Sequence, residues 1–150
     1  MSWEAEMSVL GGMMLDRECA NLAADALGVE MFQDADLGKI FGKALDLYWA
    51  GKPIDAVLLT QELPELSGLI IRTAEFVPKL GHFAEYVQIV QDEWQWGNIE
   101  RKFRDLELSN GSLEAKVVQL RELVDEQEHI LSARQEKGLA SFSEACQEFL

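Results

Sequence analysis

The chain has 150 residues, 48% of them apolar, with 27 acidic against 13 basic side chains and a net charge of −14. That length suits one domain, which needs neither disulfide nor metal to hold a core, and the composition excludes global disorder. The negative field repels phosphate, so the chain alone is a poor ligand for DNA, RNA or an anionic membrane.

Leu and Ala total 36 residues, while Val, Ile and Thr total 18, a balance that favours helix. A first helix is predicted over 3–15, capped by Ser2, with Trp3, Met7, Leu10 and Met14 on one face. Gly11-Gly12 interrupts it, so either the helix breaks there or another backbone comes close. Asp16 caps a second helix (17–27) that stops at Gly28. Asp34 or Asp36 caps a third, carrying Leu37, Ile40, Phe41, Ala44, Leu45, Tyr48 and Trp49, and Gly51-Lys52-Pro53 ends it. Asp55 caps a short fourth helix with Val57, Leu58 and Leu59. Pro64–Gly68 reads as a turn, and 69–78 as a short helix, with Ile70-Ile71 leaving a strand open.

From Phe83 a long regular period runs to Leu106. Ser109-Asn110-Gly111-Ser112 is a turn signal. Leu113, Val117, Leu120, Val124 and Leu131 then step by 4, 3, 4 and 7, with Gln127 in the skipped slot. Two such segments read as an antiparallel hairpin. Its seam is predicted to be Trp96, Ile99, Phe103 and Leu106 against Leu113, Val117, Leu120, Val124 and Leu131. Trp94, Leu108, Val118, Leu123 and Ile130 are left for a second hairpin related by two-fold symmetry. Gly138 is expected to stop the second arm, followed by a last piece with Phe142, Ala145, Phe149 and Leu150 on one face. The whole reads as all-α: a globular bundle (1–93), a hairpin (94–137) and the start of a linker helix (138–150).

Chemistry-bearing patterns are few. The sequence contains neither GxxxxGKS/T nor GxGxxG. His82 and His129 have no metal-motif partners, and His82 is placed at a helix start. Cys19 and Cys146 suit reduced thiols better than a disulfide scaffold or a zinc site. The carboxylate groups Glu4/Glu6, Asp34/Asp36 and Asp125/Glu126/Glu128 read as caps and solvated faces. Trp49 and one of Trp94 and Trp96 are assigned to the core, and Trp3 and the other to the surface, where a protein-binding role suits them better than base stacking. No apolar run reaches a membrane span, and Glu4 and Glu6 argue against a signal peptide.

Glu4–Asp16 (EAEMSVLGGMMLD) closely resembles the EAEQSVLGGLLLD opening of DnaB-type bacterial replicative helicases. Phe32 and Ile40-Phe41 resemble the FYxxxHxxIF block, Gly51–Asp55 the GxPID turn, and Tyr86–Val90 the YAxIV start of the long helix. Gln33 and Leu37 stand where that block has Tyr and His, the GG-x-x-YL segment is replaced around Ser67–Gly81, and an Arg common after YAxIV falls near Gly97; these mark a divergent member. The resemblance covers about residues 4–150. It implies a non-catalytic, cytoplasmic N-terminal collar domain whose hairpins pair, three pairs crowning a hexameric motor and contacting primase, with a helicase loader as a further partner. ATP and Mg belong to a separate motor domain, so no cofactor is expected in this chain. A motor-less homologue acting as adaptor, loader-like factor or ring inhibitor is the alternative, and an enzyme with an unrecognised site a third reading. A GxxxxGKS/T downstream of Leu150 separates the first two.

Overall fold

The computed structural model describes residues 3–76 and 78–148, with residues 136–148 described by backbone alone. The described residues form seven α-helices and three short 3-10 turns, and contain no strand. They are α1 (Trp3–Leu15), α2 (Arg17–Ala26), α3 (Ala35–Trp49), α4 (Ala56–Glu62), α5 (Ser67–Glu75), α6 (Phe83–Leu108) and α7 (Leu113–Glu148). The 3-10 turns are Val29–Met31, Pro64–Leu66 and Leu80–His82. Ile70-Ile71 is therefore helical, the Pro64 turn leads directly into α5, and His82 closes the turn before α6. The caps lie where the sequence puts them. Asp16 accepts from the Glu18 N–H, Asp34 from those of Asp36 and Leu37, and Asp55 from that of Leu58, each cap worth about 1 kcal/mol. The proposed Ser2 cap lies outside the described residues.

The end of α3 shows why Gly51-Lys52-Pro53 stops it. Gly51 adopts φ +71°, the left-handed region that glycine enters without strain. The Gly51 N–H then donates to the Tyr48 carbonyl and the Lys52 N–H to that of Leu47, a Schellman closure. Arg17 reinforces it. Its guanidinium lies 4.5 Å from the Tyr48 ring centroid and donates to the carbonyls of Tyr48 and Lys52 at 3.2 Å each. A cation is thus held against the negative end of a helix.

The chain divides into two compact units, Met1–Gly97 and Asn98–Leu150, about one helical turn beyond the 93/94 boundary read from the sequence. In the first unit α1 packs against α2, α3 and α5. All nine residues from Ala5 to Met13 are buried, so α1 is covered on every side and not on the single face its period suggested. This explains the glycine pair. A Cβ on Gly11 would meet the Phe76 carbonyl oxygen at 2.8 Å, and one on Gly12 the Phe83 ring at 2.6 Å. The helix does not break; its neighbours come too close for a side chain. The core around it includes Leu10, Leu37, Ile40, Phe41, Leu59 and Ile70, with Phe32 stacked on Phe41 at 4.6 Å.

Burying α1 entirely also takes Glu6 inside, at 1% exposure, contrary to the solvated face expected of it. Glu6 Oε1 accepts from the Asp34 N–H at 3.2 Å, while Oε2 makes no hydrogen bond among the described residues. Burial pushes the Glu6 carboxyl above its ordinary range, the nearby carboxylates of Asp34 and Glu93 add to that, and the backbone N–H groups of Asp34 and Gln33 oppose it. Cys19 is buried as a free thiol, its pKa raised to about 11 by desolvation and by Asp16, which disfavours the reactive thiolate. Trp49 is not core, because it is 71% exposed.

In the second unit, α7 follows the turn at 109–112, where Ser109 Oγ donates to the Leu106 carbonyl and Ser112 Oγ accepts from the Ala115 N–H. Gly138 does not end α7, which continues to Glu148. One helical glycine costs only about 1 kcal/mol, no proline follows in the sequence, and no residue of positive φ follows among the described residues. The face expected from Phe142, Ala145, Phe149 and Leu150 lies outside the described side chains.

Candidate interaction site on the helical hairpin

One flank of the hairpin carries an exposed salt bridge between the two arms. Lys102 Nζ lies 3.1 Å from both carboxylate oxygens of Glu126. Lys102 and Leu106 from α6, Ser109 from the turn after it, and Gln119, Leu123 and Glu126 from α7 line one groove of about 360 Å³. The order is antiparallel, Ser109 and Gln119 being nearest the turn.

Along α7 the inward line is Lys116, Leu123, Gln127, Ile130 and Arg134. Leu123 and Gln127 are buried and the other three half-buried. Along α6, Ile99 and Leu106 are half-buried. This seam is narrow and rich in polar groups, and it is not the one read from the sequence. The residues assigned to it on α7 are exposed: Leu113 79%, Val117 49%, Leu120 38%, Val124 48% and Leu131 45%. Phe103 and Trp96 on α6 are exposed as well.

The set left for a second hairpin is corrected too. Leu123 is 9% exposed and belongs between the arms, and Ile130 and Trp94 are half-buried. Leu108 and Val118 are exposed, but a helix turning about 100° per residue carries each of them to the side away from the seam. They form no common face. The physical reason is simple. Two helices in contact cover only a narrow stripe of each other. Hydrophobic period identifies a stripe that avoids water, but not the surface that covers it.

The exposed set does form one face. At about 100° per residue, Leu113, Val117, Leu120, Val124 and Leu131 fall within an arc of about 60°, flanking the seam. Phe103 flanks it in the same sense on α6, and in an antiparallel pair equal flanks lie on one side. The opposite flank carries Lys102, Asp105, Glu122 and Glu126. The hairpin therefore has one apolar and one charged side. Contiguous apolar surface of this kind marks an interaction site. No group of three or more His, Cys, Asp or Glu side chains among the described residues could hold a metal ion, and His82 and His129 are exposed. No helix, among the described residues, is long and apolar enough to cross a membrane.

The described residues thus form an all-helical bundle with buried glycines in its first helix, and a two-helix hairpin. Residues 1–92 match the family model of the DnaB-like helicase N-terminal domain, and the chain belongs to that family. It is 32% identical over 98 residues to the replicative DNA helicase DnaC of Bacillus subtilis (strain 168), and 33% identical over 100 residues to the replicative DNA helicase DnaB of Geobacillus stearothermophilus. These alignments take in 60% and 61% of this chain and 22% of each relative, so the chain spans about a fifth of their length. The fold is similar to the crystal structure of the N-terminal domain of DnaB helicase from Mycobacterium tuberculosis, with a TM-score of 0.68 at 21% identity, covering 84% of this chain and 97% of that one. It is also similar to the structure of a DnaB-like replicative helicase described together with its interactions with primase, with a TM-score of 0.62 at 20% identity, covering 87% of this chain and 35% of that one.

Proposed function

We propose that this chain is the non-catalytic collar domain of a replicative helicase, which assembles with copies of itself and offers a platform to primase. The exposed apolar side of the hairpin carries this reading. Phe103, Leu113, Val117, Leu120, Val124 and Leu131 gain nothing by facing water, and each fully buried aliphatic side chain is worth roughly 1.5–3 kcal/mol. A second hairpin placed by two-fold symmetry covers the stripe with the same stripe, which is self-complementary. Three such dimers crown the ring of the full-length protein. ATP and Mg act in its motor domain, and a loader is a further partner there. The family supports the replicative setting, and the similarity to a helicase studied with primase supports that partner. The cytoplasm, where replication helicases of bacteria work, is the matching compartment.

Sedimentation equilibrium over a concentration series tests the reading. A reversible monomer–dimer equilibrium in the micromolar range is expected. A chain that stays monomeric at high micromolar concentration overturns it.

A further inference from the structure

A second apolar surface lies in the first unit, on α3. Lys39, Gly42, Lys43 and Trp49 line a groove of about 450 Å³, with Val29 from the 3-10 turn before α3 and Leu63 at the end of α4. Gly42 keeps the floor open, since a Cβ there would reach to 3.4 Å from a Val29 methyl group. Trp49 stands at one end, 71% exposed, its only ring contact being the edge of Tyr48 at 4.8 Å among the described residues. An open tryptophan beside exposed Val29 (43%) is the kind of anchor that dominates binding energy once covered.

The charge around the groove selects its guest. The unit carries 6 basic and 16 acidic side chains over residues 1–97, yet two of the six line this groove. Lys39 has no ion-pair partner among the described residues. Lys43 lies 3.9 Å from both Asp46 and Glu62, at the outer limit of pairing, so a closer carboxylate can displace them. Two lysines in the lining thus stand against one lining carboxylate, Asp46, in a unit that is acidic overall, and a guest carboxylate placed over Lys39 gains a cation that no side chain of the described residues pairs.

We propose that this groove is the docking site for an acidic amphipathic helix of a partner protein. Apolar side chains of the guest, spaced one turn apart, pack on Trp49, Val29 and Leu63, and its flanking carboxylates reach Lys39 and Lys43. This site is separate from the hairpin stripe and does not depend on the self-association proposed for it.

The test is a titration of the isotope-labelled chain with a synthetic amphipathic helical peptide of Leu and Glu, with a Leu/Lys peptide of the same pattern as control. Saturable NMR shifts at the Trp49 indole and at the amides of Val29, Lys39, Lys43 and Leu63 are expected with the Glu peptide. Trp49→Ala weakens binding about tenfold or more, the usual loss at an anchor. The double variant Lys39→Glu, Lys43→Glu reverses the preference towards the Leu/Lys peptide. These side chains are half-buried or exposed, so the thermal melt of each variant stays that of the parent. No shift at Trp49, equal affinity for both peptides, or Trp49 shifts that appear with rising chain concentration alone, which would make a second copy the guest, overturns the proposal.

Discussion

Replacing Val117 and Val124 together with Glu separates a partner-facing stripe from a seam between the arms. Both valines are about half exposed in the single chain, at 49% and 48%. The substitutions therefore leave the fold almost untouched, within about 0.5 kcal/mol, as surface changes do. In a two-fold dimer the remaining half of each valine is covered, worth roughly 0.8 kcal/mol per side chain on the scale of full burial. Two positions on two protomers lose about 3 kcal/mol. At 1.4 kcal/mol per tenfold, the dimer weakens about 100-fold, before the cost of desolvating four carboxylates is added. Each chain, already at −14, also gains two negative charges, so long-range repulsion acts in the same direction. Sedimentation velocity across a concentration series reads the association, and a thermal melt by circular dichroism reads the fold. The expected result is a monomer with the parent's melting temperature. Leu123→Glu is the contrast: at 9% exposure it places a charge between the arms, and helical signal is lost. A double valine variant that remains dimeric, or that loses helicity while Leu123→Glu keeps it, refutes the assignment of faces.

Gly12→Ala drives a methyl into the buried Phe83 ring and is expected to destabilise the first unit by about 1–3 kcal/mol in chemical denaturation; an unchanged midpoint would show that the ring moves aside freely. Glu6 has a folded-state pKa above its unfolded value of 4.5, so its contribution is fully present below the unfolded pKa and is lost as pH rises through the folded one. Glu6→Gln removes the unpaired buried charge, keeps an acceptor for the Asp34 N–H, and is expected to flatten that slope and raise stability at neutral pH by about 1 kcal/mol; parallel stability–pH curves for parent and variant count against it. With net −14, fluorescence anisotropy is expected to detect no binding of single-stranded DNA at about 150 mM salt, and micromolar binding there contradicts the charge argument.

Local structure was legible because its causes are local. Asp16, Asp34 and Asp55 satisfy N–H groups two or three residues away, and Gly51 closes a helix through its own φ, so each boundary is written within one turn of sequence. The Gly11-Gly12 pair announced either a break or a close approach, and the family resemblance was carried by the same short blocks. What only the tertiary structure decided is which water-avoiding surface meets which. Packing on three sides turned α1 into a central helix and took Glu6 inside with it. It left Trp49 outside although α3 reads as amphipathic. On the hairpin, two stripes adjacent on α7 compete for the seam. The richer one, from Leu113 to Leu131, faces outward, while Leu123 and Gln127 go between the arms. A periodic pattern encodes the direction of burial relative to a helix axis. The identity of the covering surface depends on how helices distant in sequence are placed, and that is a property of the assembled chain.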